Sequence, residues 1–233
     1  MNSGKSILIT GASRGIGLAI AETFHKHGYN LILHCSSEAS ATALRSRFPN
    51  HITWIADLSD ASQTHALCDK IKALNTIDIL VNNAGTFLPG AIHEEAEGTF
   101  ERLLSVNLTA PYHITRAALS IMMQQNSGHI INMCSTASLV GYTNGGSYCI
   151  SKFGLLGLTR VLREELKNLN IKVTAVMPGA TYTDSWKSSG LPEERFISAQ
   201  DLADLIFTTC SLSSNAVVED LVVRPILGDI SDE

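Results

Sequence analysis

The chain has 233 residues, which suits one large domain with a buried core, and its 45% hydrophobic residues exclude a disordered protein. Its 17 basic and 22 acidic residues give a net charge of −5, so we expect no nucleic-acid binding of the kind that neutralises phosphates. Charged residues make up only 17% of the chain, below the usual quarter or so.

Strand-like and helix-like segments alternate along the whole chain. Short apolar runs predict strands at 6–10, 30–34, 52–56, 77–81, 129–133, 171–176 and 221–223. Helical spacing predicts helices at 15–27, 38–48, 61–74, 148–168 and 199–210, and over 94–124 one long helix or two joined near Pro111. This alternation predicts a single α/β domain over residues 1–233. Its core would be a doubly wound parallel sheet of about seven strands with helices on both faces.

One stretch without charge, residues 117–151, is long enough to raise the question of a membrane segment. It contains glycines and polar residues that a hydrocarbon core does not tolerate, so we expect no membrane association. The polar N-terminus and the short apolar stretch after it predict no signal peptide. Five scattered cysteines favour reduced thiols and a cytoplasmic protein, and the scattered histidines predict no metal site.

The first predicted strand runs into a glycine-rich turn, Thr10-Gly-Ala-Ser-Arg-Gly-Ile-Gly17, which opens the first predicted helix. Glycines let the backbone approach a pyrophosphate, and the helix N-terminus offers free N–H groups and the positive end of its dipole. The turn therefore predicts a dinucleotide site. Its spacing differs from the commoner Gly-x-Gly-x-x-Gly, and a tight turn without a ligand is the alternative.

The tip of the second predicted strand bears on which dinucleotide would bind. In a dinucleotide site an acidic residue at this tip binds the ribose 2′-hydroxyl. Here residues 34–37 read His-Cys-Ser-Ser, and the first acid, Glu38, is predicted to open the next helix. Arg14, Ser36 and Ser37 are suited to a 2′-phosphate, so we favour NADP(H) over NAD(H). A solvated Arg14 is the alternative.

Tyr148 and Lys152 lie four residues apart in a predicted helix and therefore share a face. A nearby ammonium favours phenolate, so we expect Lys152 to lower the pKa of Tyr148 and Tyr148 to act as a general acid or base. The pair alone is weak evidence. It gains weight from Ser135, which follows the fifth predicted strand at the edge where parallel sheets bind ligands.

Together these motifs resemble those of the short-chain dehydrogenase/reductase family. The resemblance rests on residues 10–17, Asn82-Asn-Ala-Gly85, Asn107, Ser135 and Tyr148-x-x-x-Lys152, in the family's order over most of the chain. Asp57 after the third strand and Pro178-Gly179 after the sixth also match. The resemblance implies a Rossmann-type fold. It also implies an oxidoreductase that transfers hydride between a nicotinamide cofactor and a ketone, aldehyde or secondary alcohol.

The resemblance also implies residue roles. Ser135 would hold the substrate carbonyl oxygen, Tyr148 would pass it a proton, and Asn107 would fix a water of the proton relay. Lys152 would lower the Tyr148 pKa and bind the nicotinamide ribose. With the 2′-phosphate argument added, the predicted cofactor contacts are Gly11, Ser13, Arg14, Gly15, Ile16, Gly17, Ser36, Asp57, Leu58, Asn83, Ala84, Gly85, Tyr148, Lys152, Pro178, Gly179 and Thr183.

Two segments bear on substrate and assembly. Residues 222–225 lack the family's Asp-Gly turn, which puts the usual tetramer contact in doubt, so Arg224 and Pro225 are predicted to cover the cofactor or a neighbouring subunit. Residues 184–198 stand where the family has a substrate lid. There Trp186, Leu191 and Phe196 favour a small to medium apolar ketone or aldehyde. The family pairs subunits through its long helices, so we expect a homodimer or homotetramer.

An NADPH-dependent carbonyl reductase acting on a small-molecule substrate is therefore the leading hypothesis. An NAD-dependent secondary alcohol dehydrogenase is the alternative among enzymes. A catalytically silent NADP(H)-binding regulator is the alternative of another class, against which the complete Asn-Ser-Tyr-Lys set argues. A methyltransferase also has a glycine-rich turn, but it would not explain Tyr148 and Lys152.

Overall fold

The computed structural model describes residues 4–184 and 189–230, and its strands form one parallel sheet in the order β3-β2-β1-β4-β5-β6-β7. The strands are β1 Ser6–Ile9, β2 Asn30–Cys35, β3 Ile52–Ile55, β4 Ile79–Asn82, β5 Gly128–Met133, β6 Ile171–Pro178 and β7 Asp220–Val223. The central strands are buried along their whole length, as continuous apolar runs between two helical layers require. The predicted doubly wound α/β fold is confirmed.

Two layers of helices cover the sheet. The helices are α1 Gly15–Lys26, α2 Glu38–Arg47, α3 Ala61–Lys72, α4 Thr99–Leu104, α5 Ala110–Gln125, α6 Gly146–Leu166 and α7 Ala199–Ser211. On one face Ile20 and Phe24 of α1 share an apolar core with Ile206 of α7. On the other face Ile114 of α5 and Leu162 of α6 share a second core with α3. These two cores bury most of the large apolar side chains and fix the sheet between them.

The predicted helix over 94–124 begins later than expected and contains an irregular turn. Gly98, with φ of 83°, precedes α4, and a π-helical segment at Ser105–Thr109 joins α4 to α5. Pro111 lies in the first turn of α5, where proline is tolerated. Because proline has no N–H, it cannot donate to the carbonyl of Asn107, four residues earlier.

The site is positioned by the order of the strands. Because β1 lies between β2 and β4, the chain leaves β1 in one direction to build β2 and β3, and in the other to build β4 to β7. A crevice forms outside the carboxyl ends of the strands at such a switch point. The glycine turn after β1 and the segment after β4 face each other there. Within the described residues, no helix is long and apolar enough to cross a membrane.

Candidate active site

The glycine turn after β1 is shaped by close backbone contacts. Gly11 has φ of 66° and Gly15 has φ of 54°, a region that residues with a side chain rarely occupy. A Cβ at Gly17 would lie 2.2 Å from the Gly11 carbonyl oxygen and 2.4 Å from Asn83 Nδ2. Each of these three positions therefore needs glycine. The N-cap residue of α1, Arg14, makes no side-chain cap, and the first turn of the helix holds no acid, so its N-terminus suits an anion.

Two neighbouring strands hold the glycine turn from either side. From the β4 side, Asn83 Nδ2 donates to the carbonyls of Thr10 and Gly11 at 2.9 and 3.0 Å. From the β2 side, the Gly11 N–H donates to His34 Nδ1 at 3.3 Å, and the Ala12 N–H donates to the His34 carbonyl at 2.9 Å. The conformation of the turn is thus set by residues far from it in sequence.

A cavity of about 530 Å³ opens beside the turn. Thirteen of the predicted cofactor residues line it: Gly11, Ser13, Arg14, Gly15, Ile16, Gly17, Ser36, Asp57, Leu58, Asn83, Ala84, Gly85 and Thr183. The sequence analysis missed the other lining residues, which are His34, Cys35, Ala56, Ser59, Thr86, Arg102, Val106 and Asp184. The volume is of the size that cofactor sites have.

The outer end of the cavity carries its charges. Arg14, whose side chain is 77% exposed, lies 3.7 Å from the Asp184 carboxylate. Hydrogen bonds from the Ser59 N–H and hydroxyl hold the pKa of Asp57 below its usual range, and the Arg102 guanidinium contributes to the same shift. Ser37 is engaged as the cap of α2, since its hydroxyl accepts from the Ser40 N–H at 3.3 Å. At the tip of β2, Ser36 therefore remains as the exposed hydroxyl facing the cavity.

Ser135 and Tyr148 meet beside the inner end of the cavity. Neither they nor Lys152 line it, although Tyr148 and Lys152 are predicted cofactor contacts. Ser135 follows β5 and caps a short 3-10 turn, with its hydroxyl accepting from the Ala137 N–H at 3.1 Å. The Ser135 hydroxyl also forms a hydrogen bond with the Tyr148 phenol. The ring of Phe87 packs edge-on against Tyr148, with 4.8 Å between ring centroids. The phenol is thereby fixed in direction from two sides.

Burial sets the ionisation of this pair. It raises the pKa of Tyr148, and the hydrogen bond with Ser135 acts in the opposite direction. Lys152 is 5% exposed, donates to the Met133 carbonyl at 2.8 Å, and lies 5.8 Å from the centre of the Tyr148 ring. Burial lowers the pKa of Lys152 as well. The net direction of the Tyr148 pKa shift is opposite to the one expected from Lys152 alone, because burial disfavours the charged forms of both groups.

Asn107, in the π-helical segment, forms hydrogen bonds with the segment after β4 and with the helix α6 that carries Tyr148. Its Oδ1 accepts from the Thr86 N–H at 2.8 Å, and its Nδ2 donates to the Thr86 carbonyl and to Ser151 Oγ. Ser151 in turn donates to the Tyr148 carbonyl at 2.7 Å. A Cβ at Gly85 would lie 3.3 Å from Asn107 Oδ1 and 3.5 Å from Lys152 Nζ. Gly85 lines the cavity, so the Tyr148–Lys152 end adjoins it directly.

Glu95, which the sequence analysis did not single out, holds the helix that carries Tyr148. The N-cap residue of α6 is Gly145, which has no side chain to offer. Glu95 replaces this cap from a distant loop: its carboxylate accepts from the Ser147 N–H at 2.7 Å and from the Ser147 hydroxyl. A Cβ at Gly146 would lie 2.2 Å from Glu95 Oε1, so glycine is needed there for the carboxylate to approach.

Pro178 and Gly179 do not line the cavity. Pro178 ends β6, and a Cβ at Gly179 would lie 3.1 Å from Pro225 Cδ. The Gly179 N–H donates to the Val223 carbonyl at 2.8 Å. The segment after β7 is therefore packed against the loop after β6, a contact within the subunit that the prediction for Arg224 and Pro225 did not include.

Of the predicted lid at 184–198, the structure describes residue 184, which lines the cavity, and residues 189–198. Trp186 lies outside the described residues, and Leu191 is 41% exposed. Phe196 is 8% exposed and packs against Tyr182, and Ile197 forms a parallel bridge with Thr181. The burial of Phe196 against Tyr182 leaves little of its ring for the predicted substrate contact.

Comparison with known proteins shows which family shares this fold and these motifs. The short chain dehydrogenase family model matches residues 5–194. Sepiapterin reductase of Chlorobaculum tepidum is 34% identical over 97% of this chain and 98% of its own length. The 3-oxoacyl-acyl-carrier-protein reductase FabG of Rickettsia typhi is 36% identical over 78% of this chain and 75% of its own.

Among solved structures, a metagenomic short-chain oxidoreductase in complex with NADP superposes with a TM-score of 0.81. It is 30% identical and covers 96% of this chain and 97% of its own. The family model spans most of the chain, and both the fold and the order of the motifs agree with it. The chain belongs to the short-chain dehydrogenase/reductase family of oxidoreductases.

Proposed function

We propose that the protein is an NADPH-dependent carbonyl reductase that interconverts a ketone or aldehyde and an alcohol. One observation carries the proposal: the hydrogen-bonded Ser135–Tyr148 pair, with buried Lys152 beside it, adjoins a cavity lined by a glycine turn at a helix N-terminus. A phosphate-binding turn and a placed proton donor are the two parts that this reaction requires of a protein.

The residues present fit a bound NADP(H). The three crowded glycines form a cradle that a Cβ would fill, and the α1 N-terminus offers N–H groups to the pyrophosphate. Arg14 and Ser36 face the outer end, and β2 carries no carboxylate at its tip to repel a 2′-phosphate. The structural relative bound to NADP supports the same preference. When bound, the nicotinamide would supply the hydride.

The side chains at the inner end would handle the proton. The Ser135 and Tyr148 hydroxyls would both face the substrate carbonyl oxygen, and Tyr148 would donate its proton to that oxygen as charge develops. The raised pKa of Tyr148 keeps the phenol protonated at neutral pH, as a proton donor requires. Lys152 and Asn107 hold the surroundings of the phenol through Met133 and Ser151.

The substrate would be uncharged and at least partly apolar. Phe87 packs against Tyr148, and Leu139, Val140 and Tyr142 lie between the Ser135 turn and α6; all four are more than a third exposed. These side chains would lie against apolar parts of a ketone or aldehyde. One relative is named as a sepiapterin reductase. Sepiapterin therefore belongs in the panel of test substrates.

The test is a panel of carbonyl compounds with NADPH oxidation as the readout. Tyr148→Phe should abolish turnover and leave NADPH binding intact, while Tyr112→Phe, on the exposed face of α5, should leave both unchanged. Turnover that survives Tyr148→Phe would show that the assigned proton donor is wrong. Tighter binding of NADH than of NADPH would favour the NAD-dependent alternative, and binding without turnover on any carbonyl would favour a silent regulator.

We also propose a homodimer or homotetramer in the cytoplasm. Met123 of α5 and Ile150, Phe153 and Val161 of α6 are 43 to 54% exposed, and apolar side chains at that density suit a subunit contact. The five cysteines are all free, which supports a reducing compartment. Light scattering that finds only a 25.1 kDa species would exclude the oligomer.

A further inference from the structure

His34 is a buried histidine that lines the cofactor cavity and has no role in the proposed reaction. Its side chain is 2% exposed, and it lies near the end of β2, between the glycine turn after β1 and the end of β3. Both ring nitrogens are engaged: Nδ1 with the Gly11 N–H at 3.3 Å, and Nε2 with the Ala56 carbonyl at 3.0 Å. It therefore spans the two segments that line the cavity on either side of β2.

The partners assign the tautomer. The Gly11 N–H can only donate, so Nδ1 must be the unprotonated, accepting nitrogen. The Ala56 carbonyl can only accept, so Nε2 must carry the hydrogen. This is neutral imidazole in one defined tautomer. A second proton would sit on Nδ1 and would meet the Gly11 N–H head-on, so the charged form is incompatible with this contact.

We propose that neutral His34 is a positioning residue for the cofactor, which fixes the glycine turn through Nδ1 and makes cofactor binding weaker when the imidazole is protonated. The inference rests on the proposed function, since it assumes that the cavity binds NADP(H). Gly11 has φ of 66°, in the left-handed region that glycine adopts readily. The acceptor at His34 Nδ1 would select one orientation of the peptide that carries the Gly11 N–H. Asn83 holds the carbonyl side of the same turn, so the two side chains fix it from opposite strands.

The direction of the pH effect follows from the surroundings of the ring. Burial lowers the pKa of His34, against a smaller opposite effect of the Ala56 carbonyl. The ionisable groups that share the cavity are Arg14 on the glycine turn, Asp57 after β3, Cys35 on β2, Arg102 on α4 and Asp184 after β6. Because cofactor binding requires the neutral form, it lowers the His34 pKa further, and affinity falls as the pH falls through that pKa.

Two substitutions separate the functions of the two ring nitrogens. The amide oxygen of asparagine can take the place of Nδ1, so His34→Asn keeps the acceptor for Gly11 and removes the titration. The amide nitrogen of glutamine can take the place of Nε2, so His34→Gln keeps the donor to Ala56 and removes the acceptor. We measure the dissociation constant of NADP⁺ for each protein between pH 5 and pH 8, with circular dichroism to confirm the fold.

At pH 8 we expect His34→Asn to bind within about threefold of the wild type and His34→Gln about tenfold more weakly, as loss of one hydrogen bond predicts. The 2′-phosphate of the cofactor also titrates, with a pKa of about 6. The informative quantity is therefore the ratio of wild-type to His34→Asn dissociation constants, which should rise as the pH falls. A ratio that stays constant while the pH falls through the His34 pKa found by nuclear magnetic resonance, or equal binding by both variants, would overturn the inference.

A measurement on the wild type alone covers the case in which neither variant folds. Nuclear magnetic resonance can follow the His34 imidazole against pH with and without saturating NADP⁺. A lower pKa in the complex supports the inference, and an unchanged pKa overturns it. Failure of the wild type to bind NADP⁺ at pH 8 would overturn the proposed function together with this inference, whereas binding with an unchanged His34 pKa would overturn the inference alone.

Discussion

Glu95→Ala tests whether a loop far from Tyr148 in sequence holds the helix that carries it. The substitution removes the acceptor of two hydrogen bonds from Ser147, whose side chain is 2% exposed. A hydrogen bond to a charged group is worth about 1.5–3 kcal/mol, and loss of a helix cap costs about 1 kcal/mol. Because these contributions overlap, we expect the free energy of unfolding to fall by about 2–3 kcal/mol. For a chain of this length that is a fall of about 5–10 °C in Tm.

Urea unfolding at fixed protein concentration measures the effect. Glu95→Gln keeps an acceptor for the Ser147 N–H and should lose only about 1 kcal/mol. Glu94→Ala is the matched control, because Glu94 is the neighbour of Glu95 in sequence and its side chain is 72% exposed, with its carboxylate 3.6 Å from the exposed ring of His93. It should change stability by less than about 0.5 kcal/mol. The reasoning is refuted if Glu95→Ala is no more destabilising than Glu94→Ala.

Two further predictions concern the glycine turn and the sheet. Gly17→Ala places a methyl group 2.2 Å from the Gly11 carbonyl oxygen, so it should weaken NADP⁺ binding more than tenfold in an equilibrium titration. A Cβ at Gly157 of α6 would have no atom within 4 Å, so Gly157→Ala should raise the free energy of unfolding by about 0.5–1 kcal/mol. Burial lowers the pKa of His129 to about 4, so its stabilising contribution is complete above pH 6.5 and is lost as the pH falls toward 4. His129→Gln keeps the donor to Thr174 and should remove about 2 kcal/mol of the stability lost between pH 8 and pH 5, measured by urea unfolding.

The sheet could be predicted from the sequence because its information is local. Each strand is a short apolar run that ends at a polar or glycine residue, and alternation with helices leaves few topologies. The place of the glycine turn is likewise local information, whereas its crowding by Asn83, Ala84 and Thr183 comes from the fold. The start of the helix over 94–124 was misplaced because Gly98 adopts φ of 83°, a backbone conformation that apolar spacing does not reveal.

The missed site residues have partners that are distant in sequence. Glu95 is 52 residues from Ser147, and His34 is 23 residues from Gly11. Nothing in the neighbourhood of either residue distinguishes it from an exposed acid or an ordinary strand histidine. Arg102 is likewise one of several charges on a short helix, and only the fold brings it beside Asp57. The pKa of Tyr148 was misjudged for a related reason: sequence spacing shows a nearby ammonium but not the burial that outweighs it.

The absence of charged residues over 117–151 is also explained by burial. This stretch spans the end of α5, β5 and the start of α6, and its buried polar groups are neutral ones: amides, hydroxyls and the imidazole of His129, whose pKa burial lowers to about 4. Asn82 Nδ2 donates to Thr115 and to Asn132, and Asn132 Nδ2 donates to Thr159, so the network links β4, α5, β5 and α6. Neutral groups can form such a network at low cost, whereas a full charge would need a partner. Lys152 follows the stretch directly. Its amine donates to the Met133 carbonyl beside Tyr148, and among the described residues it is the only buried lysine or arginine.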